Sequence, residues 1–525
     1  MIRVVVFSTI LMVLGLQCNC ARILLAFPSP SESHLIFAST LMKGLAAQGH
    51  NVTVLSHYPL KHPLENYRDV KLSLVGLNKH VERSKSIVKR KYLPLQEVTD
   101  VFHEINYHLK LTNHSFHEES WQKVMHEESF DLVIVEMFLN KFLIGLGDHF
   151  KCPVVGILSL GTPEVVFYMS GNPSAISTVP SLLLGGVKEM NFIARLEMFL
   201  LNTGEKLHWM YQDLLERKYY KANFPSPKYR SYDEMKTNIS LFFINEHFSV
   251  DYPRPLVPGV VEIGGLNIKI NLDPLPQNIQ EFMDGAEHGV IFFSLGSIYK
   301  SSFLPADKVD VILRVFGKLK QRVLFKWETE TPPDKPDNVM MEAWLPQSEI
   351  LAHKNLQLFV SHGGLGGMNE AKYYGVPVVG IPFVHEQRCI LEKAEIDGWA
   401  RLIELNDLTD EIFSQAVFEV LTHSRYKDAV RQISKLYRDR PLDALQTAIF
   451  WIEYVIRHKG APHLQNYAIQ LNFFERNSLD ILAFIALVIF IVIKVTIFCV
   501  NFCWRNVKKV RRSRRRRFSK DVIIV

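Results

Sequence analysis

Short apolar runs alternate with helical patterns of apolar and polar positions along the first half of the chain. Residues 35–48 repeat apolar side chains at helical spacing, and Gly49 provides the signal that ends such a helix. Strands that are apolar throughout and separated by helices indicate a parallel sheet with helices on both faces. Uninterrupted apolar runs predict strands of this kind at 22–27, 51–56, 131–135 and 153–158.

The same alternation restarts after a stretch rich in proline and glycine. Residues 253–276 form this stretch and predict an interdomain linker. Beyond it, apolar runs predict strands at 290–294, 322–326, 356–360 and 376–381. The chain is therefore predicted to be α/β, with two doubly wound domains that face each other across a cleft. Such sheets bind ligands at the carboxyl ends of their strands.

One long segment of the first half does not alternate. Residues 181–220 are helical in pattern and rich in Leu, Met and Phe. We expect these apolar side chains to pack in the core, rather than to contact a membrane surface or a ligand.

Two longer apolar segments lie near the ends of the chain. Residues 1–20 combine Arg3, an apolar run and small or polar residues, which is typical of a cleaved signal peptide, with a buried first helix as the alternative. Residues 481–500 are apolar except for Lys494 and Thr496 and would cross about 30 Å, the thickness of a bilayer core. Lys494 must then reach an interface or find a partner.

Charge is distributed unevenly along the chain. Ten of the 60 Lys and Arg residues follow Trp504, whereas residues 21–493 carry 48 basic and 53 acidic side chains. A body near −5 argues against nucleic-acid binding. A basic tail after an apolar span indicates a cytosolic tail, and hence a type I single-pass protein with a lumenal or extracellular body. Anionic lipid headgroups would attract this tail.

Cysteine usage excludes a disulfide-based scaffold. Only Cys152 and Cys389 lie in the body, far apart in sequence, and both are expected to be buried thiols. Glycosylation sequons begin at Asn51, Asn113 and Asn238. Asn51 starts a predicted core strand and is expected to stay unmodified, whereas Asn113 is the favoured acceptor.

The strongest chemical signal lies between residues 344 and 387. It consists of WLPQ at 344–347, SHGGLGGMNEA at 361–371, GVP at 375–377 and PFVHEQ at 382–387. A strand, a glycine-rich turn and a helix start form an anion site, because the backbone N–H groups and the helix N-terminus favour a phosphate. A glycine-rich turn alone is weak, but here a histidine, a helix carboxylate and an upstream tryptophan accompany it.

This segment resembles the signature of the UDP-glycosyltransferases, specifically the membrane-bound animal UDP-glucosyl- and UDP-glucuronosyltransferases. The flanking sequences PSPSESH and IEYVIRHKGAPHL are most similar to those of arthropod members. The resemblance covers essentially the whole chain. It implies the GT-B fold and the inverting transfer of a hexose from a UDP-sugar to a hydroxyl of a small lipophilic acceptor. Glucose is the favoured sugar and glucuronate the alternative.

The resemblance also implies which residues bind the UDP-sugar. Trp344 would stack on the uracil, Gln347 would bond the uridine and Glu370 would hold the ribose hydroxyls. The pyrophosphate would be held by His362 and the N–H groups of Gly363 and Gly364, with help from Ser297, and the sugar hydroxyls by Glu386 and Gln387.

The sequence departs from the family pattern at two donor positions. Many members carry Asn where this chain has Gly366, so that only the backbone of Gly366 can contact phosphate. The usual sugar-binding pair is Asp-Gln, whereas this chain has Glu386-Gln387, which moves the carboxylate out by one methylene. An altered fit of the donor sugar is therefore expected.

In the family, a histidine after the first strand is the general base, and here it is His34. A helix N-terminus disfavours the imidazolium, so His34 should be neutral and able to accept a proton. The carboxylate that orients this base would be Glu136, where the vertebrate-like pattern has Asp; the alternative is a strand-end carboxylate that caps another group. No cofactor or metal is expected, because the chain contains no Asp-x-Asp pair of the metal-dependent glycosyltransferases.

The predicted organisation follows the chain from a lumenal body to a cytosolic tail. The segments are a signal peptide (1–20), an acceptor-binding domain (21–252), a linker (253–276), a UDP-sugar-binding domain (277–445), helices leading to the membrane (446–478), a transmembrane helix (479–500) and a basic tail (501–525). The resemblance implies the endoplasmic reticulum membrane. The cell surface is the alternative, because residues 521–525 lack the dilysine ending typical of relatives.

Other functions stay open at this stage. A degenerate member would bind a UDP-sugar or a lipophile without turnover. A type I receptor or adhesion protein would have repeated, disulfide-linked domains, which a body with two cysteines and no repeat does not favour. The expected partners are UDP-glucose or a related UDP-sugar, a lipophilic aglycone, the membrane and a second copy in a homo-oligomer, but no nucleic acid.

Overall fold

The computed structural model describes residues 20–521, except 74, 76, 91–93, 174–178, 181–190, 331 and 333. The predicted signal peptide therefore lies outside the described residues, apart from Cys20. The strands are β1 Arg22–Phe27, β2 Asn51–Ser56, β3 Tyr67–Lys71, β4 Leu132–Glu136, β5 Val154–Ile157, β6 Ile239–Ile244, β7 Val260–Glu262, β8 Val290–Ser294, β9 Arg322–Lys326, β10 Val339–Glu342, β11 Leu356–Ser361, β12 Val378–Gly380 and β13 Ala400–Leu402.

The α-helices of the first half are α1 Glu32–Ala47, α2 Leu77–Lys89, α3 Pro94–Phe116, α4 Glu119–Glu127, α5 Gly145–Phe150, α6 Glu164–Met169, α7 Phe192–Asn223 and α8 Tyr232–Lys236. Those of the second half are α9 Gln277–Asp284, α10 Ala306–Gly317, α11 Gln347–Ala352, α12 Leu365–Tyr374, α13 His385–Ile396, α14 Asp410–Thr422, α15 Ser424–Arg438, α16 Ala444–Arg457, α17 Phe473–Arg476 and α18 Leu479–Asp521.

The first domain is built on a seven-stranded parallel sheet in the order β3-β2-β1-β4-β5-β6-β7. In the centre of this sheet, Leu24 of β1 pairs with Thr53 on one side and with Val133 on the other. The order reverses direction between β1 and β4, which opens a crevice at the carboxyl ends of these two strands. All four strands predicted in this half are confirmed.

The second domain repeats the arrangement with six parallel strands in the order β10-β9-β8-β11-β12-β13. Phe293 of β8 lies between Phe325 of β9 and Val360 of β11. The corresponding reversal lies between β8 and β11. Two doubly wound Rossmann-like domains are therefore confirmed, and each presents a switch point that can hold a ligand.

The predicted linker 253–276 is too long, because it includes a strand of the first sheet. Val260–Glu262 pairs with Phe242–Ile244 and forms the sheet edge as β7. Three residues in a proline-rich stretch are too few to give a periodic signal in the sequence. The true connection between the domains lies after Glu262.

The helices predicted to lead to the membrane also need correction. Helix α16 returns to the first domain, where Ala448 and Ile452 are fully buried with Leu41 and Met42 of α1. Gly44 of α1 lets this helix come close, because a Cβ there would lie 2.6 Å from Leu445. Residues up to Arg457 therefore belong to the body of the protein.

The expectation that residues 181–220 pack in the core is wrong for helix α7. Its polar residues, such as Gln212 and Glu216, are wholly buried, whereas Leu207, Met210 and Leu214 are each more than 60% exposed. The helix itself is confirmed for residues 192–223, but these apolar side chains point outward. Residues 181–190 lie outside the described residues.

Residues 467–525 form a separate unit that contains helices α17 and α18. Residues 479–515 of α18 form a helix that is long and apolar enough to cross a membrane. The predicted span 479–500 is the first half of this helix. The helix then continues without a break into the basic tail.

Candidate functional site

The donor side of the cleft begins with the turn between β11 and α12. Gly363 has a φ of +84°, and a Cβ there would lie 2.7 Å from Leu391 and 2.9 Å from the carbonyl oxygen of Gln387, so only glycine fits. Ser361 Oγ accepts a 3.2 Å hydrogen bond from the Gly363 N–H. No side chain caps α12, and its first N–H groups are free to receive an anion.

His362 lies in a slot formed by two glycines. A Cβ on Gly364 would lie 2.5 Å from His362 Nε2, and a Cβ on Gly296 would lie 2.7 Å from its Cε1. Burial and the nearby Lys326 lower the pKa of His362 to about 4, so the ring is neutral at physiological pH. Its Nδ1 has no hydrogen-bond partner among the described residues. The sequence predicted the histidine but not the role of Gly296.

Glu370 and Gln347, both predicted to bind the uridine, are brought together. The two carboxylate oxygens of Glu370 accept hydrogen bonds from Gln347 Nε2, at 2.5 Å, and from Ser348 Oγ. Glu370 is 6% exposed, and burial raises its pKa. Ser348 had no sequence signal of its own, although it follows Gln347 in the first turn of α11.

Trp344, predicted to stack on the uracil, presents an exposed ring. It is 61% exposed, which leaves a ring face for stacking. Lys326 Nζ lies 4.9 Å from the Trp344 ring centroid and donates a 2.7 Å hydrogen bond to the carbonyl oxygen of Gly296. Sequence reasoning missed Lys326, although a cation at the carboxyl end of a predicted strand was a usable signal. Burial lowers its pKa.

Ser297 and Gly366 surround the same turn. Ser297 Oγ is buried without a hydrogen-bond partner among the described residues, so it is available to bind a ligand. At Gly366 a Cβ would meet only Asn267 Nδ2, at 3.8 Å. Asn267 comes from the connection between the domains and has a buried, unpartnered Oδ1. The Asn267 side chain therefore places an amide close to residue 366, where many family members carry Asn.

The pair Glu386 and Gln387 lies at the start of α13, where the two domains meet. Gln387 Oε1 accepts a 2.9 Å hydrogen bond from the Phe383 N–H. The Glu386 carboxyl accepts the backbone N–H of Gly161, which follows β5 of the first domain. Burial raises the pKa of Glu386 to about 7. Glu386, one of the two residues predicted to bind the sugar, therefore contacts the first domain.

His34 lies opposite, at the switch point of the first sheet. Ser31 caps α1 by accepting a hydrogen bond from the His34 N–H, at 3.4 Å, which places His34 in the first turn. Its ring packs edge-on against Phe138, with centroids 5.8 Å apart. Burial, with smaller effects of His108 and His80, lowers the pKa of His34 to about 3. Its Nδ1 is buried and unpartnered among the described residues.

Glu136 ends β4 at the same switch point and is fully buried. Its Oε2 accepts a 3.0 Å hydrogen bond from Asn140 Nδ2, and its Oε1 has no partner in the described part of the chain. Burial raises its pKa to about 8. No hydrogen bond joins the described side chains of His34 and Glu136, although each has one buried atom free to make it. Their pairing stays a prediction.

The three sequons differ in exposure. Asn113 is half-buried within α3, its Oδ1 accepts a 2.9 Å hydrogen bond from Asn223, and Ser115 of the same sequon is wholly buried. Asn238 is exposed in the turn before β6, and Asn51 is exposed as the first residue of β2. Attachment of a glycan needs a free amide, so the structure favours Asn238 over Asn113.

The described cysteines are all free thiols: Cys20, Cys152, Cys389, Cys499 and Cys503. Cys389 is buried as predicted, whereas Cys152, which was also predicted to be buried, is half-buried.

Comparison with known proteins gives a consistent result. Residues 22–513 match the family described as UDP-glucoronosyl and UDP-glucosyl transferase. UDP-glucosyltransferase 2 of Dactylopius coccus is 36% identical over 487 residues, covering 89% of this chain and 90% of that protein. UDP-glucuronosyltransferase 1A1 of Homo sapiens is 28% identical over 98% of both chains.

Solved structures share the fold at low sequence identity. The UDP-glucose: anthocyanidin 3-O-glucosyltransferase in complex with UDP has a TM-score of 0.56 and 14% identity, covering 84% of this chain and all of that one. The glycosyltransferase VinC in complex with DTDP has a TM-score of 0.55 and 18% identity, covering 83% of this chain and 100% of that one. These similarities confirm the GT-B architecture.

Proposed function

The chain belongs to the UDP-glycosyltransferase family, and on this premise we propose that it transfers glucose from UDP-glucose to a hydroxyl of a small lipophilic acceptor with inversion at the anomeric carbon. One observation carries the proposal. The carboxyl end of the first sheet adjoins the second domain: Gly161, which follows β5, donates its backbone N–H to the Glu386 carboxyl, and Glu32, in the same helical turn as His34, lies close enough to Lys326 to act on its pKa.

The donor is proposed to bind to the second domain through groups that are already oriented. Trp344 offers a ring face to the uracil, and Glu370 offers carboxylate oxygens to the ribose hydroxyls. The N-terminus of α12, the neutral His362 and the Lys326 ammonium lie where the pyrophosphate would be. They would stabilise the charge that develops on UDP as it leaves.

The acceptor reaction is proposed to begin with proton removal by His34. The acceptor oxygen attacks the anomeric carbon from the face opposite UDP, the bond from that carbon to the UDP oxygen breaks, and the proton moves to His34 Nε2. A base of this kind contributes roughly 10²- to 10⁴-fold to the rate. With a pKa of about 3, His34 by itself is a weak base and would hold this proton poorly.

Glu136 is proposed to compensate for this weakness. Its pKa of about 8 means that part of the Glu136 population is ionised at physiological pH. A hydrogen bond from His34 Nδ1–H to the free Oε1 of Glu136 would orient the ring and stabilise the imidazolium. Because Glu136 must be ionised to do so, turnover is expected to rise with pH up to about 8.

Glucose is proposed as the donor sugar. The similarity to an insect UDP-glucosyltransferase over 89% of the chain supports this choice. Glucuronyl transfer is the competing outcome.

The protein is also proposed to be anchored in the endoplasmic reticulum membrane through α18, with a lumenal body. The apolar length of α18, the basic residues after it and the similarity to membrane-bound family members support this placement.

The test uses detergent-solubilised full-length protein with UDP-glucose or UDP-glucuronate and a panel of phenols. Glucosides of β configuration, identified by NMR, would support the proposal, since the donor carries an α linkage. Glucuronides alone would overturn the choice of sugar. UDP binding without any product would favour the degenerate member, which the unpaired atoms of His34 and Glu136 keep as the second candidate.

A further inference from the structure

Three side chains that the proposed reaction does not use converge in the first domain. His80 comes from α2, and Glu104 and His108 lie one turn apart on α3. One candidate ligand atom from each, an imidazole nitrogen or a carboxylate oxygen, lies within 4.8 Å of the other two. Because positions i and i+4 of a helix share a face, α3 presents Glu104 and His108 together to His80.

The imidazoles of this cluster have few protein partners. Neither ring nitrogen of His80 has a hydrogen-bond partner among the described residues, and Nδ1 of His108 has none. His108 Nε2 lies 3.0 Å from Glu104 Oε1, and His108 is only 3% exposed. Buried polar groups without partners are uncommon in folded proteins and call for a specific reason, such as an ion.

The chemistry of the three groups selects the ion. Two imidazoles and one carboxylate suit Zn²⁺, whereas Ca²⁺ and Mg²⁺ prefer oxygen ligands. Arg83 Nε lies 2.8 Å from Glu104 Oε2, which fixes the carboxylate, and Oε1 would exchange its hydrogen bond with His108 Nε2 for the metal. Supporting contacts of this type orient the ligands of natural metal sites. We propose that His80, Glu104 and His108 bind one Zn²⁺ ion, with water in the fourth position.

The position of this site indicates what the ion would do. Helix α2 also contacts the second domain: Val88 is buried in its core, and Lys85 Nζ lies 5.6 Å from the Phe303 ring centroid. An ion bound by both helices would tie α2, which contacts the second domain, to α3 of the first domain. The ion therefore restrains α2 at the edge of the cleft.

The site is separate from the leaving-group chemistry. The Phe138 ring lies between the cluster and the proposed base, with its centroid 5.8 Å from the ring centroid of His108 and 5.8 Å from that of His34. The proposed pyrophosphate site is in the other domain. The Zn²⁺ ion is therefore not required for departure of UDP.

The test uses full-length protein without a histidine tag, stripped of metal and dialysed against buffered ZnCl₂. Wild type should bind one Zn²⁺ per chain, and Co²⁺ in its place should give the intense visible absorption of tetrahedral coordination. His80→Ala, Glu104→Gln and His108→Ala should each weaken binding by about 100-fold or more, since loss of a supporting contact alone costs 10- to 100-fold. Amide exchange in α2 should slow with Zn²⁺ in wild type but not in these three variants.

His103→Ala is the matched control, because His103 lies on the same helix next to Glu104 but is exposed. It should bind Zn²⁺ like wild type. Thermal unfolding in EDTA checks that each variant is folded, and UDP affinity should not change, because the nucleotide groups lie in the other domain. Wild type that binds no Zn²⁺ at micromolar concentration would overturn the proposal. Binding that survives all three ligand substitutions would overturn it too.

Discussion

Replacement of Glu136 by Gln should make the protein more stable and less active at the same time. The amide has nearly the same shape as the carboxyl, and its oxygen can still accept the hydrogen bond from Asn140 Nδ2. The substitution removes only the ability to ionise. It therefore separates the role of the negative charge from the role of packing.

The size of the stability effect follows from the pKa. Glu136 titrates at 4.5 in the unfolded chain and at about 8 in the folded protein, because burial penalises its charged form. The fold thus favours the protonated carboxyl, and stability is lost as pH rises from 4.5 to 8. The loss is about 1 kcal/mol at pH 5 and about 4 kcal/mol at pH 8.

The assay is thermal unfolding of wild type and Glu136→Gln in detergent across this pH range. The Gln variant has no such penalty, so its advantage in Tm should grow by on the order of 10 °C between pH 5 and pH 8. Turnover should fall by at least roughly 100-fold with UDP affinity unchanged, since the nucleotide groups lie in the second domain. The loss should largely vanish when His34 is already Ala, because residues that act as a unit are non-additive.

Glu216→Gln is the control for loss of another buried carboxylate. Glu216 is fully buried and accepts hydrogen bonds from the N–H groups of Lys141 and Phe142. Any loss of turnover in this variant should come from packing and should therefore add to that of His34→Ala. A pH-independent difference in Tm between Glu136→Gln and wild type would refute the buried titration. Near-normal turnover by Glu136→Gln would remove Glu136 from the site.

Three other predictions follow from the same geometry. Gly364→Ala should push the His362 ring out of its slot and weaken UDP binding by about 1–3 kcal/mol in calorimetry, whereas Gly366→Ala, with its nearest neighbour at 3.8 Å, should bind within about twofold of wild type; equal affinities would contradict the slot. Chelation of divalent ions should leave most transfer activity in a product assay. Complete loss that Mn²⁺ or Mg²⁺ restores would contradict the proposal that protein groups stabilise the charge on the departing UDP. A chain that ends at Ser478 should be released by alkaline extraction, although the exposed apolar face of α7 should keep part of it membrane-associated at neutral pH; a truncated chain that resists extraction would exclude α18 as the sole anchor.

The sequence predicted the strands that are apolar on both faces, because their signal is local. β1, β4 and β8 lie in the centres of their sheets and appear as uninterrupted apolar runs. β3, with the sequence YRDVK, is an edge strand whose residues are half-buried or exposed, so it has no apolar run. β7 has three residues and is held by pairing with β6, which the sequence does not report.

The direction of an amphipathic face could not be predicted in the same way. The pattern of α7 gave a helix, but burial of Gln212 and Glu216 depends on partners that are distant in sequence. Glu216, for example, meets the N–H groups of Lys141 and Phe142, 75 and 74 residues away. Periodicity gives the presence of two faces, and only tertiary contacts decide which one is buried.

In the candidate site too, residues close together in sequence were predicted, and residues from distant segments were not. The donor residues were predictable because the turn, helix and flanking strand are contiguous, and the structure brings Gln347 next to Glu370. Lys326 and Asn267 reach the turn from distant segments and were missed. His34 and Glu136 were placed at one switch point by the order of the strands. Their mutual orientation depends on side-chain rotamers, which a sequence pattern does not specify.

The proposed role of His34, as the base that removes the acceptor proton during sugar transfer, is tested most directly by one comparison. Transfer rate and UDP affinity are measured for wild type and His34→Ala, with saturating donor and a phenol acceptor that wild type uses. We expect His34→Ala to lose roughly 10²- to 10⁴-fold in transfer rate while its UDP affinity stays within about twofold of wild type. Transfer by His34→Ala at a rate close to that of wild type would contradict it.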